Sequence, residues 1–205
     1  MPRPRSDLRD RLIASARELF LLYGVDGASL RDIAKAAGTN IGMIYYYFPS
    51  KDELFEAVIL DFLPVLVARM REALADDVPF AERIARLFLN FSRMSDEELV
   101  TVRLLLREIL VSSERRQKVI ALAGQSHVPV ILVAVIEGLR AGELDARHHP
   151  GVLMVSLLGS AMFAQLVRRL AGEHLPPGLE LIPGGADLGR ALSRLWLEGA
   201  TKRPT

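Results

Sequence analysis

Residues Leu30 to Phe48 read LRDIAKAAGTNIGMIYYYF. Leu30, Ile33 and Ala37 recur at spacings of three and four, which makes them the packing face of a short helix. Ala34 is small where a second helix must approach, and Gly38 can take the positive φ of a tight turn. Thr39 or Asn40 can cap a further helix running to about Tyr47, whose Ile44 points back to the core. Pro49 ends it, because the residue before a proline is pushed out of the α region. Two short helices joined by a glycine turn form a helix-turn-helix. At roughly 1.5 Å per residue the second, from Asn40 to Tyr47, is about 12 Å long, and a DNA major groove is about 12 Å wide.

Working outward, periodicity stays helical. Leu12, Ile13, Ala16, Leu19, Phe20 and Tyr23 place a helix over Asp7 to Tyr23, stopped by Gly24. Ser29–Asp32, Ser50–Glu53 and Ser95–Glu98 read as capping boxes. The Ser50 helix is long and apolar and carries Pro64, an expected kink. Pro79 opens a helix with Ile84, Leu87, Phe88 and Phe91, and Ser95 opens one reaching about Val111. A stretch from Ser113 to Gly142 is expected to break at Pro129. An apolar helix follows over Val152 to Val167, and then a loop marked by Pro176, Pro177, Gly178, Pro183, Gly184 and Gly185. Asp187 to Glu198 makes the last helix. The expected fold is all-α, with about nine helices and no strands. Short elements crowd the first fifty residues and long ones fill the rest. This asymmetry predicts a helix-turn-helix domain over residues 1–52 and a larger helical body over 53–205.

Composition narrows the classes. The chain has 205 residues, half of them hydrophobic, enough for a substantial core. Its 26 basic and 25 acidic residues nearly cancel, which argues against a broad basic coat for nucleic acid but not against a concentrated reading site. Residues 1–55 hold eight basic and seven acidic side chains, so a monomer is expected to bind DNA weakly and two copies on one site much better. The absence of cysteine excludes disulfides, zinc–cysteine sites and thiol chemistry. The charged N-terminus suggests no signal peptide. The most apolar run, Val152 to Val167, falls short of the roughly 20 residues of a membrane span, so a cytoplasmic protein with no membrane partner is expected.

The segment Gly38-Thr-Asn-Ile-Gly-Met-Ile-Tyr-Tyr-Tyr-Phe-Pro-Ser-Lys-Asp-Glu-Leu54 resembles the DNA-binding domain of the tetracycline-repressor (TetR) family of bacterial transcriptional regulators. Gly27-Ala-Ser-Leu30, Gly24 and the Ala16 to Phe20 core fit the same pattern, so the likeness covers roughly the first 55 residues. Glu137 to Leu144 followed by Pro150 resembles the family's lead into its dimerisation helices. The resemblance implies a homodimeric, ligand-responsive regulator, most often a repressor, bound to a palindromic double-stranded operator.

Chemistry at those positions agrees. Thr39, Asn40, Ile41, Met43 and Tyr46 lie at the start or on the exposed arc of the second helix, where side chains can reach base edges, although Asn40 can instead be spent as a cap. Gly42 lets the backbone approach DNA. Tyr45 and Tyr47 can reach phosphate through their hydroxyls, a role the resemblance implies for Tyr45 in particular. One of the three tyrosines is expected in the core. Lys51 adds charge at the first turn of the next helix, Ser29 and Arg31 can touch the DNA backbone, and Arg3 and Arg5 form an arm suited to a minor groove.

In the body, Phe62, Leu66, Met70, Phe88, Phe91, Leu106 and Met154 are candidates for an apolar effector pocket. Arg103 and Arg107 could meet an anionic ligand or form a solvated stripe. The Val152 to Val167 helix is apolar on nearly every side and is expected to be buried all round. Its small-residue stripe of Ser156, Ser160 and Ala164, with Gly159 and Phe163, and the last helix's Leu188, Leu192, Leu195 and Trp196 are the expected dimer interface, a four-helix arrangement that the resemblance implies. His148 and His149 lack carboxylates for a metal site, no catalytic constellation stands out, and neither a cofactor nor an enzymatic activity is expected. A helical small-molecule or lipid carrier with a silent helix-turn-helix, and a dimeric regulator without a ligand, are the alternatives.

Overall fold

The computed structural model describes residues 5–172 and 182–201, with side chains over 7–170 and 182–201. Every regular element among them is an α-helix, and there are ten: α1 (Arg5–Gly27), α2 (Leu30–Ala36), α3 (Ile41–Tyr47), α4 (Lys51–Ala73), α5 (Phe80–Ser92), α6 (Asp96–Val111), α7 (Ser113–Gln125), α8 (His127–Arg140), α9 (Pro150–Gly172) and α10 (Gly185–Ala200). Arg3 and most of the expected Pro176 to Pro183 loop lie outside the described residues, as does the Arg5 side chain.

The chain forms two compact units, residues 1–65 with 95–123, and residues 66–94 with 124–205. The first therefore joins α1, α2, α3 and the start of α4 to α6 and α7, which come thirty residues later in sequence. Its core is made by Leu12, Ile13, Ala16 and Phe20 of α1 with Ile33, Ile44, Leu54 and Phe55, all fully buried or nearly so. The Phe20 and Phe55 rings meet edge to face at 6.3 Å. Truncating either to alanine is expected to cost roughly 3–5 kcal/mol. α1 lies along α6 and touches α2, which touches α3. α1 does not end at Gly24: it kinks there, at φ 77°, and resumes to Gly27.

In the second unit α5 and α10 are packed side by side, and α9 touches α5, α8 and α10. Gly189 permits the close approach of α10, because a Cβ there would lie 3.1 Å from the Leu89 backbone. The break expected at Pro129 falls three residues earlier. Ser126 has the non-helical φ −120° and ψ −94°, and Pro129 sits in the first turn of α8, where its missing N–H is not needed. One interrupted helix thus becomes two, raising nine to ten. Pro64 lies inside α4 without ending it.

α9 corrects two expectations. It is longer than the apolar run that marks it, and Pro150–Leu170 is long and apolar enough to cross a membrane by length and composition alone. Nor is it buried all round within one chain, since Val152, Val155 and Phe163 are exposed.

Candidate nucleic-acid interface

The turn between α2 and α3 is closed by the backbone. The Thr39 N–H donates to the Ala34 carbonyl at 2.9 Å and the Gly38 N–H to that of Lys35 at 3.1 Å, a Schellman pair that requires a left-handed residue at Gly38, observed at φ 67°. Ile33, Ala34, Ala37 and Ile44 are buried between the two helices, as their spacing predicts. That packing fixes which residues of α3 face out. Ile41, Gly42, Tyr45 and Tyr46 are exposed, Tyr45 at 54% and Tyr46 at 65%. Thr39, Met43 and Tyr47 are half-buried. Tyr47 is the tyrosine turned toward the core, edge-on to Tyr46 at 5.1 Å and tilted against Phe48 at 6.3 Å.

Both helices begin with a side-chain cap. Ser29 Oγ accepts from the N–H groups of Arg31 (3.2 Å) and Asp32 (3.4 Å), and Asn40 Oδ1 accepts from Met43 N–H at 3.2 Å. The Asn40 cap consumes its acceptor and leaves its exposed NH₂ as a donor. Gly42 serves this cap as well as any approach to DNA, because a Cβ there would lie 3.1 Å from Asn40 Oδ1. Arg31 is exposed beside the Ser29 cap. Lys51 is the first residue of α4, and its Nζ donates to the Asp26 carbonyl at 3.1 Å. One unit thus gathers an exposed α3 face of apolar, amide and phenol groups with the starts of α2 and α4, the composition of a major-groove reader with flanking phosphate contacts.

Residues 12–58 match the profile of the bacterial regulatory proteins of the tetR family. That segment is a DNA-binding domain of this family. Among relatives, the helix-turn-helix-type transcriptional repressor KstR2 of Mycolicibacterium smegmatis is 33% identical over 88 residues, 43% of either chain. A TetR/AcrR-family regulator of known structure from Thermobifida fusca is 26% identical, with a TM-score of 0.61 over 95% of this chain and 98% of its own. The regulator FadR of Bacillus subtilis, solved with stearoyl-CoA, shares the fold at 18% identity, with a TM-score of 0.76 over 93% and 98% of the two chains. The chain is accordingly a DNA-binding transcriptional regulator.

Sequence reasoning missed a charged cluster in the unit that holds the reading helices. Arg115 of α7 is buried and donates from Nε to Glu108 Oε2 (2.7 Å), from Nη1 to Asp52 Oδ1 (3.2 Å) and from Nη2 to Asp26 Oδ2. Glu108 also accepts from the Val25 N–H at 3.4 Å. Burial opposes the Arg115 charge, but the bonds to Asp26, Glu108 and Asp52 outweigh it and raise its pKa above the usual value. The hydrogen bond from Arg115 holds the Asp26 carboxyl below its ordinary pKa. One local signal was available: Thr101, Leu104 and Glu108 share the buried face of α6, so Glu108 is a carboxylate where an apolar residue is expected. Its partners come from α1, α4 and α7, and no local period links them.

The expected effector residues scatter in the helical body. Leu66, Met70 and Phe91 meet around a cavity of about 10 Å³, too small for an organic ligand. Phe88 is buried and Met154 half-buried in the same unit. Phe62 belongs to the first unit, where it borders a cleft of about 170 Å³ with Arg17, Asp61 and Thr101. Leu106 is 43% exposed and Arg103 half-buried, while Arg107 donates to the Leu21 carbonyl at 2.9 Å and so is a structural clamp. A groove of about 430 Å³ lies in the second unit between the end of α4 and α8, lined by Leu74, Arg83, Pro129, Val133 and Glu137, none of them foreseen as pocket residues.

Of the expected interface residues, Phe163 and Leu195 are exposed at 65% and 67%, Ser156 and Gly159 are exposed, and Ser160, Ala164 and Leu192 are half-buried. Leu188 and Trp196 are buried inside the unit itself, which removes them from the surface. The Trp196 indole donates to Ser156 Oγ at 3.0 Å and joins α10 to α9.

Proposed function

We propose that this chain acts as a cytoplasmic homodimeric repressor that reads a palindromic operator and leaves it when an apolar small molecule binds the helical body. The DNA-binding domain would comprise residues 1–52 and the effector-binding and dimerisation domain residues 53–205. The observation that carries the reading is the capped α3, whose Ile41, Tyr45 and Tyr46 stand out from a face anchored by Ile44. Thr39, Asn40, Gly42 and Met43 complete the base-reading surface with Ile41 and Tyr46, and Ser29, Arg31, Tyr45, Tyr47 and Lys51 supply backbone contacts. Asn40 donates its NH₂ to a base acceptor while its oxygen caps the helix. No arginine lies on α3, so readout rests on thymine methyls, amide contacts and DNA shape.

Two such helices fit successive major grooves only about 34–36 Å apart. α4 is one continuous helix whose residues divide between the two compact units, which makes it the natural lever between effector and DNA. A coupling of roughly 1–3 kcal/mol weakens operator binding about 5- to 150-fold. The acyl-CoA in the FadR neighbour supports an effector with a long apolar portion. Exposed Val152, Val155, Phe163 and Leu195 support pairing of α9 and α10 with their symmetry mates.

Selection of bound duplexes from random DNA tests the function. A palindrome recovered by wild type, and bound at least about tenfold more weakly by folded Tyr45→Ala and Lys51→Ala dimers, is the expected result. No enriched sequence, or unchanged affinity in both variants, overturns it.

A further inference from the structure

Two of the groups around Arg115 belong to segments that border the reading helices. Asp26 precedes α2 by four residues, and Asp52 is the second residue of α4, next to Lys51. Asp26 is bound twice, its carbonyl by Lys51 Nζ at 3.1 Å and its carboxylate by Arg115. Lys51 is therefore flanked by two acidic residues, Asp52 adjacent in sequence and Asp26 through its backbone carbonyl, and the Asp26 side chain is 78% exposed. A bare carboxylate there lies within a Debye length, about 8–10 Å, of any phosphate that Lys51 meets, and repels it. Glu108 alone would satisfy Arg115 as a buried pair. The structure instead directs the two terminal nitrogens of Arg115 to Asp26 and Asp52.

We propose that Arg115, on α7 and outside the helix-turn-helix, is a positioning residue for DNA binding that neutralises Asp26 and Asp52 so that the phosphate contact of Lys51 is not cancelled by its neighbours. The five charges Lys51, Arg115, Asp26, Asp52 and Glu108 sum to −1, and loss of Arg115 makes that −2 at each half-site. This inference rests on the reading of Lys51 as a phosphate ligand.

Arg115→Met alone would leave Glu108 buried and unpaired and could unfold the protein, so the test uses Glu108→Gln with Arg115→Met, which removes both buried charges. Operator affinity of this folded dimer is read by fluorescence anisotropy on a duplex carrying the selected palindrome. The two losses cancel in net charge but uncover Asp26 and Asp52 beside Lys51. At low salt the affinity should therefore fall about two- to fivefold, the upper value being that of one net charge acting across about 8 Å of water at each of two half-sites. The deficit should shrink as salt rises from about 50 to about 300 mM. Adding Asp26→Asn and Asp52→Asn, which brings the five sites from −1 to +1, should restore at least wild-type affinity, which a purely structural role of Arg115 would not allow. Wild-type affinity in the double variant, or no recovery in the quadruple variant, overturns the proposal. If Lys51→Ala also leaves affinity unchanged, the phosphate reading itself fails. If Lys51→Ala weakens binding and the double variant does not, only the role of Arg115 fails.

Discussion

The Arg107 guanidinium fills the space that a Cβ would need on Gly24, with Nη2 2.8 Å from that point. Its Nη1 donates to the Leu21 carbonyl at 2.9 Å, next to the kink that Gly24 makes at φ 77°. α6 thus grips α1 where α1 turns toward the reading helices, and the grip depends on glycine twice, for its backbone angle and for its missing side chain. Gly24→Ala should combine about 1–2 kcal/mol of backbone strain with the loss of the Arg107 hydrogen bond, about 1 kcal/mol. Urea unfolding should show stability lower by roughly 2–3 kcal/mol. A loss below about 0.5 kcal/mol would mean that neither the strain nor the clash is real.

On the proposed reading, Asn40 divides its two polar atoms between folding and recognition. Aspartate in its place keeps the oxygen that accepts from Met43 N–H and adds favourable charge at the α3 N-terminus, so thermal stability should hold or rise slightly. The same change replaces an exposed donor by a carboxylate facing DNA, and operator affinity should fall at least about tenfold. Asn40→Ala should lose about 1 kcal/mol of stability as well. Calorimetry paired with DNA binding separates the two effects, and an Asn40→Asp variant that binds DNA normally would remove Asn40 from the interface.

The helix-turn-helix was legible because its determinants are local. The spacing of Leu30, Ile33, Ala37 and Ile44, the glycine at Gly38 and the Asn40 cap each act within one or two turns, and the structure places them as that spacing predicts. The Arg115 cluster was not legible, because it joins Asp26, Asp52 and Glu108 across as many as 89 residues and charge has no period to betray it. α9 misled for a physical reason. An apolar helix signals that its surface must leave water, but the sequence does not say whether its own chain or a second copy covers Phe163. Trp196 erred the other way, since its indole N–H finds Ser156 within the chain.

Acid should weaken the corner between α8 and α9. Asp145 accepts from the Arg147 side chain at 2.9 and 2.5 Å and from its backbone N–H at 3.0 Å, while its own N–H donates to the Ala200 carbonyl at 2.9 Å. The Arg147 hydrogen bonds lower the Asp145 pKa from 3.8 to about 2. A carboxyl with a depressed folded-state pKa contributes stability that is fully present above its unfolded pKa and disappears as pH falls through the folded value. The wild-type melting temperature should therefore drop between about pH 4 and pH 2 more steeply than that of Asp145→Asn, which should already be less stable at neutral pH. Parallel curves would exclude Asp145 from the acid response.

On α9 the exposed Val152, Val155, Gly159 and Phe163 follow one another at helical spacing, and on α10 Leu195 and Gly199 do the same. Among the described residues, no atom outside its own helix and chain neighbours lies within 4 Å of where a Cβ would stand on Gly159 or Gly199, which leaves room for a facing helix. In a two-fold interface each substitution counts twice, so Phe163→Asp places two charges in the seam. Each buried aromatic lost at such a centre typically costs about 2 kcal/mol or more, which raises the dimer dissociation constant at least about 30-fold. Sedimentation should show monomers at concentrations where wild type is dimeric, with far-ultraviolet circular dichroism unchanged and operator binding reduced. Trp196→Phe breaks only the bond to Ser156 inside the chain and should leave the dimer intact. A Phe163→Asp protein that sediments as wild type would place the dimer seam elsewhere.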